Sequence, residues 1–281
     1  MSGSIAYLGP KGTFSEQAAT LYAKSNTINK FIPLRTITEV GNYVIQHGSP
    51  QNNIQGIVPI ENSIEGSVNE TLDLLIQNEN LYIQKEIILS IEHCLITDQN
   101  TNLSEIKSIY SHPQAIGQCR NFIEKYYPDI NIMVSISTSE AVTDMKNSHL
   151  PAAAIANKKV ITHHSDCIIA KENIQDNINN ETRFVILAMQ DHKATENDKT
   201  SICFFFANDE PGQLFSVIKE FSDANINLVK IESRPTKTQL GEYLFLIDCH
   251  GHRLREPLES TLKNLANITS KLNIFGSYPI F

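Results

Sequence analysis

No apolar run in the chain approaches the length of a membrane-crossing helix; Ile202–Ala207 is among the longest. The start, Met1-Ser2-Gly3-Ser4-Ile5-Ala6-Tyr7, lacks the basic and apolar regions of a signal peptide. There is no cluster of Lys and Arg, and the net charge is −8, which argues against a nucleic-acid surface. The five cysteines, at 94, 119, 167, 203 and 249, are an odd number with no paired spacing. That pattern suits reduced thiols in a cytoplasmic protein. His163 and His164 near Cys167, and Cys249 with His250 and His252, lack the C-x₂-C and H-E-x-x-H spacings of metal sites. They read as surface histidines and packed thiols.

What is present is a soluble globular composition, 41% hydrophobic and 19% charged, over 281 residues, a length that favours two domains. The polar segment 190–200, without apolar periodicity, reads as a linker between residues 1–189 and 201–281. Before it, Ile5–Leu8, Ile54–Ile60, Ile106–Tyr110 and Ile130–Ile136 read as short buried strands, each followed by a helical pattern. That alternation predicts an α/β domain with mainly parallel sheets. Helix starts carry capping pairs: Thr13/Glu16, Ser67/Glu70, Ser111/Gln114 and Ser137/Glu140. Helix N-termini gathered at the carboxyl ends of strands suit a small, multiply charged anion. After the linker the order is strand Ser201–Ala207, helix Gln213–Ala224, strands Asn227–Arg234 and Glu242–His250, helix Pro257–Ile268 and strand Asn273–Tyr278. This is the ferredoxin-like βαββαβ plan, and such a sheet favours pairing with a second copy.

Three segments carry candidate chemistry. In Glu181-Thr182-Arg183-Phe184 a hydroxyl, a guanidinium and a ring open an apolar strand, and an Arg there is costly unless an anion meets it. The tripeptide from Thr182 reads either as a pocket edge for a carboxylate or phosphate or as an Arg salt-bridged at a strand end. Gly9–Ser15 lies between strand and helix, but its glycine spacing is not that of a Walker A loop. It reads as a turn lending N–H groups to a carboxylate, or simply as a tight turn. Val58–Ser67 follows a buried strand with a dense polar stretch containing Glu61 and Glu65. No G-x-S-x-G elbow is present, and no Ser-His-Asp triad can be placed.

Taken in order, Gly9–Ser15, Val58–Gly66, Ser111–Cys119, Ser137–Ala141, Ala152–Asn157, Asn173–Phe184 and Glu232–Pro235 cover essentially the whole chain and resemble a monofunctional bacterial prephenate dehydratase with a C-terminal ACT regulatory domain. No chorismate mutase segment precedes the first domain, so a bifunctional enzyme is not expected. The resemblance implies a two-lobed catalytic domain like a periplasmic binding protein. One lobe is expected near residues 1–80 plus 170–189 and the other near 81–169, with the active cleft between them.

The implied reaction converts prephenate to phenylpyruvate, CO₂ and water, on the way to phenylalanine, without cofactor or metal. Loss of the ring hydroxyl with CO₂ creates an aromatic ring, which supplies the drive. By this resemblance Thr182 assists hydroxide departure. Thr13, Phe14, Asn62, Ser63, Ser111, Gln118, Thr138, Ser139, Arg183 and Phe184 line the cleft. Arg183 holds a carboxylate or braces the pocket.

L-phenylalanine is the implied allosteric effector, bound near Gly212, Gln213, Leu214, Glu232, Ser233 and Arg234, where ACT domains of two chains meet. A homodimer or homotetramer is expected. Gly212-Gln213-Leu214-Phe215 departs from the usual Gly-Ala-Leu-Val at its second and fourth residues. Two other functions stay open at this point. One is an amino-acid sensor without catalysis. The other is arogenate dehydratase, whose substrate bears an ammonium that calls for a pocket carboxylate, with Glu61 the residue in question.

Overall fold

The computed structural model describes residues 3–24, 26–49, 52–208, 210–236 and 243–281. The chain divides into two compact units. One comprises Met1–Val40, Ile57–Val68 and Ile88–Phe184, and the other Gly41–Gly56, Asn69–Ile87 and Val185–Phe281.

Three sheets organise the fold. The first is six-stranded, in the order Ile28–Leu34, Gly3–Leu8, Ile54–Asn62, Glu181–Ala188, Tyr82–Ser90, with the short strand Gly66–Ser67 paired to Ile54–Asn62. The second runs Cys167–Lys171, Cys94–Asp98, Ala152–Ala156, Ser108–Ser111, Asn131–Val134. Its centre explains its stability. Ala152–Ala156 is wholly buried, and its alternate residues serve different cores. Ala152, Ala154 and Ala156 pack with Val142 and Met145, whereas Ala153 and Ile155 pack with Ile109, Ala115 and Ile123. A strand covered on both faces needs an unbroken apolar run, and this one has it.

Expected parallel pairing holds for Gly3–Leu8 with Ile28–Leu34 and for Ser108–Ser111 with both its neighbours. The edge of the second sheet is antiparallel instead, because Cys94–Asp98 pairs that way with Ala152–Ala156 and with Cys167–Lys171. Two further expectations are corrected. Tyr82–Ser90, a strand expected in the lobe of residues 81–169, pairs within the first sheet. The segment expected as a buried strand near Ile130–Ile136 is a short exposed edge strand, Asn131–Val134. Val134 is 69% and Ile136 86% exposed. Its apolar content reflects an edge position with one sheet neighbour rather than a core.

The third sheet, Leu228–Pro235, Tyr243–His250, Asp198–Phe205, Lys271–Pro279, is fully antiparallel. With helices Gln213–Asp223 and Leu258–Ile268 it completes the expected βαββαβ order. Glu242, expected to open the third strand, lies outside the described residues. Phe204, Phe221, Ile247 and Leu262 form the core beneath the helices. The first strand begins at Asp198, so the last three residues of the expected linker are strand. Asp198 is buried and accepts from Thr195 N and Thr195 Oγ1, each at 2.6 Å, which ties down the approach to the strand.

All five cysteines are free and buried. Burial pushes the Cys167 thiol up to about 11 and those of Cys203 and Cys249 up to about 12. They are packed, unreactive thiols.

Candidate active site

A cavity of about 1240 Å³ opens in the first unit. Strand periodicity decides which part of Thr182-Arg183-Phe184 reaches it. Successive side chains alternate faces, so Thr182 and Phe184 line the cavity while Arg183 turns to the opposite side. There Arg183 meets Glu61 at 2.8 Å. Of the two readings of this arginine, the strand-end salt bridge is the one realised. Arg183 braces the strand and is not among the lining residues, and neither is Glu61.

Asn62, at the end of Ile54–Asn62, fixes the Thr182 hydroxyl. Its Oδ1 accepts from the backbone N–H groups of Ile64 and Glu65, both at 3.0 Å. Its Nδ2 donates to Thr182 Oγ1 at 2.9 Å, to Asn180 Oδ1 at 2.8 Å and to Glu181 O at 3.0 Å. Thr182 Oγ1 therefore accepts from Asn62, which leaves its own proton to donate. Thr182 and Asn62 are both buried at 8% exposure, so this hydrogen bond is poorly screened by water.

The loop after Gly3–Leu8 forms another wall through Lys11, Thr13, Phe14 and Ser15. Gly12 takes φ +82, and a Cβ there would meet Ser139 Oγ at 3.0 Å and Val160 Cγ2 at 3.2 Å. Glycine is required at that close approach. The expectation that this turn lends N–H groups to a ligand is corrected at Gly12, whose N–H donates to Glu16 Oε2 at 2.7 Å. Thr13 lines the cavity, but its hydroxyl donates within the loop to Leu8 O and Pro10 O and accepts from Glu16 N.

Gln118, Thr138 and Ser139 also line the cavity, and Ser139 Oγ is buried without a hydrogen-bond partner among the described residues. The Ser137 cap on Glu140 N forms as expected, at 3.0 Å.

Ser63 and Ser111 do not reach the cavity. Ser63 Oγ donates to Asn179 O and accepts from Glu181 N. Ser111, fully buried, donates to Ile155 O at 2.7 Å. The expected Ser111/Gln114 cap is replaced by His112, whose Nδ1 accepts from Gln114 N.

Sequence reading missed the cavity's charge. Lys11, Arg35 and the carboxylate of Glu140 line it beside His112, His163 and His164, drawn from separate segments that only the fold brings together. It also missed Asn180 and His93. Asn180 stands directly before the strand that carries Thr182.

His93 is 2% exposed, and its ring meets Phe14 edge-on at 5.8 Å. Burial lowers its pKa, outweighing the raising effect of its hydrogen bond to Gln118. Its folded-state pKa thus lies below the unfolded value of about 6.5. As pH falls through that value the unfolded chain takes up a proton that the folded one refuses, so stability is lost towards acid. Thermal melts from pH 7.5 to 5 should show a falling Tm, with a shallower slope in His93→Gln. An unchanged slope would contradict this role.

In the second unit, the expected effector residues take separate faces. Gly212, at φ +90, precedes helix Gln213–Asp223, and Gln213 Oε1 accepts from Glu210 N at 3.3 Å. Leu214 packs into the core and Phe215 is 68% exposed. Along Leu228–Pro235, Glu232 and Arg234 share one face and Ser233 the other. Glu232 meets Lys230 at 3.2 Å, and the buried Arg234 pairs with Asp73 of helix Asn69–Gln77.

The fold is mixed α/β, and its cavity sets hydroxyl and amide donors beside Lys11, Arg35 and several histidines, with the carboxylate of Glu140 also in the lining. Such a lining suits a small anion, and a ferredoxin-like domain follows in the chain. The sequence profile of prephenate dehydratase matches residues 5–192, and that of the ACT domain matches residues 201–267. The chain belongs to the prephenate dehydratase family, lyases that dehydrate and decarboxylate prephenate, and carries an ACT domain.

A prephenate dehydratase of Methanocaldococcus jannaschii is 39% identical, with 100% of both chains covered. One from Bacillus subtilis is 33% identical over 98% of each. Among solved structures, the prephenate dehydratase of Staphylococcus aureus superposes with TM-score 0.81 at 31% identity, covering 99% of this chain and 100% of that one. That of Arthrobacter aurescens, in complex with L-Phe, gives TM-score 0.88 at 29% identity, covering 99% and 90%.

Proposed function

We propose that the cavity binds prephenate and converts it to phenylpyruvate, CO₂ and water. The observation that carries this is the Thr182 hydroxyl, held by Asn62 so that its proton is free to donate, in a cavity that Lys11 and Arg35 also line.

Prephenate brings two carboxylates and a ring hydroxyl. Lys11 and Arg35 offset the negative charge, and the lining histidines offer hydrogen-bonding partners. Gln118, Thr138 and Ser139 offer polar contacts, and Phe14 and Phe184 give the forming aromatic ring apolar walls. Thr182 donates to the departing hydroxyl. A threonine is a weak acid, so it acts as a positioned donor that strengthens as charge develops on that oxygen. The carboxylate lost as CO₂ is destabilised by leaving water, and ring aromatisation drives the step.

L-phenylalanine acts on the same chain as feedback effector, at the helix start after Gly212 and the strand of Ser233. The likeness to the A. aurescens prephenate dehydratase, solved in complex with L-Phe, supports this reading. Leu228–Pro235 is a sheet edge with Val229 and Ile231 about half exposed, which favours pairing of two chains there as a homodimer, or as a dimer within a homotetramer. No helix among the described residues is long and apolar enough to cross a membrane. The five buried free thiols favour a reducing, cytoplasmic setting.

Substrate choice is tested by kcat/KM for prephenate against arogenate. Because Glu61 is engaged by Arg183, prephenate is expected to win; a preference for arogenate would reverse the assignment. Calorimetry with phenylalanine on the full-length protein tests the effector, and absence of binding would contradict it.

A further inference from the structure

We infer that Asn180 and His93 are positioning residues that lock the Gln118 amide with its NH₂ group, not its oxygen, turned to the substrate. This deepens the reading above and rests on the cavity being the prephenate site.

The argument begins at atoms whose role is fixed. The backbone N–H groups of Ile64 and Glu65 can only donate, and both meet one side-chain atom of Asn62 at 3.0 Å. That atom must be the amide oxygen. The Asn62 nitrogen then lies 2.8 Å from a side-chain atom of Asn180, which must accept. Asn180 therefore turns its oxygen to Asn62 and its nitrogen to Gln118, 2.9 Å away. The Gln118 atom that receives this donor must be Oε1. The same oxygen lies 2.9 Å from His93 Nε2, which therefore carries a proton. Each link follows from the one before, so two backbone amides set the orientation of a side chain more than fifty residues away in sequence.

With Oε1 taken by two donors, both hydrogens of Gln118 Nε2 remain for the cavity that Gln118 lines. Turning the amide over would leave the Asn180 donor against an NH₂ group, and His93 could follow only by moving its proton to Nδ1, which is buried without a partner among the described residues. Asn180 is 1% and His93 2% exposed, so water does not stand in for either partner. Gln118 and Thr182 thus both present donors, the polarity that a carboxylate and a departing hydroxide require.

Asn180→Asp tests this without changing shape. One Asp oxygen still accepts from Asn62, while the other faces Gln118 Oε1 and repels it, so the amide turns over. KM for prephenate should rise by roughly 10–100-fold, the loss of a hydrogen bond to a charged group, with kcat changed by less than about threefold. Gln118→Ala should raise KM similarly, and the double variant should be no worse than Gln118→Ala alone. If Asn180→Asp fails to fold, Asn180→Ala, which removes the donor without adding an acceptor, carries the same cycle.

An unchanged KM in Asn180→Asp, or a full further rise on top of Gln118→Ala, overturns the inference. Wild-type protein that binds no prephenate overturns the underlying site as well. Wild-type turnover with an additive cycle overturns only the lock.

Discussion

Thr182→Val should lower kcat by roughly 10²–10⁴ and leave KM nearly unchanged. Valine keeps the branched shape, and Thr182 is only 8% exposed, so the strand should pack as before. What disappears is the acceptor for Asn62 Nδ2 and, with it, the proton offered to the leaving hydroxyl. Asn62 retains Asn180 Oδ1 and Glu181 O as acceptors, so its own position should hold. The defect therefore belongs to the transition state rather than to binding. Steady-state kinetics on prephenate read it directly. Thr182→Ser, which restores a hydroxyl on the same carbon, should recover much of the loss. An unchanged kcat in Thr182→Val removes the hydroxyl from the chemistry.

Asn62→Asp should cost roughly 10²–10³ in kcat/KM with little loss of fold. The carboxylate still accepts from Ile64 and Glu65, but it cannot donate to the three oxygens that now receive Asn62 Nδ2. Thr182 would then donate to the new carboxylate instead of to the substrate, and the added charge would repel a dianion. A buried carboxylate facing acceptors has its pKa raised. Activity relative to wild type should accordingly recover in part as pH falls from about 8 to 6, because protonation of the introduced carboxylate restores one donor. A deficit that does not change with pH would show that geometry, not donor polarity, is what Asn62 supplies.

The ordering of elements was legible because it follows from local patterns. The βαββαβ order after residue 197 could be read from apolar alternation and periodicity, and the observed ends coincide or differ by at most three residues. The polarity of Thr182-Arg183-Phe184 was legible too, and strand alternation alone would have turned Arg183 away from Phe184's side. What could not be read was partnership across the chain. Arg183 looked like an anion's ligand because Glu61, over a hundred residues earlier, is adjacent only in the fold. Ser111 sat in a capping pattern, but its hydroxyl reaches Ile155 O on the neighbouring strand, and the histidine beside it takes the cap. Ile130–Ile136 had the composition of a core strand, and only the sheet order shows that it lies at an edge. His93 sits in an ordinary apolar segment, and nothing local marks its hydrogen bond to Gln118.

The most direct test of the whole account is turnover by purified full-length protein, dialysed against EDTA, given prephenate and followed by the absorbance of phenylpyruvate with and without phenylalanine. The account predicts phenylpyruvate formation that needs no added metal or cofactor and that phenylalanine suppresses by roughly 5–150-fold in apparent affinity, the usual range of allosteric coupling. Folded protein that forms no phenylpyruvate, or forms it only when a metal or cofactor is restored, would contradict it.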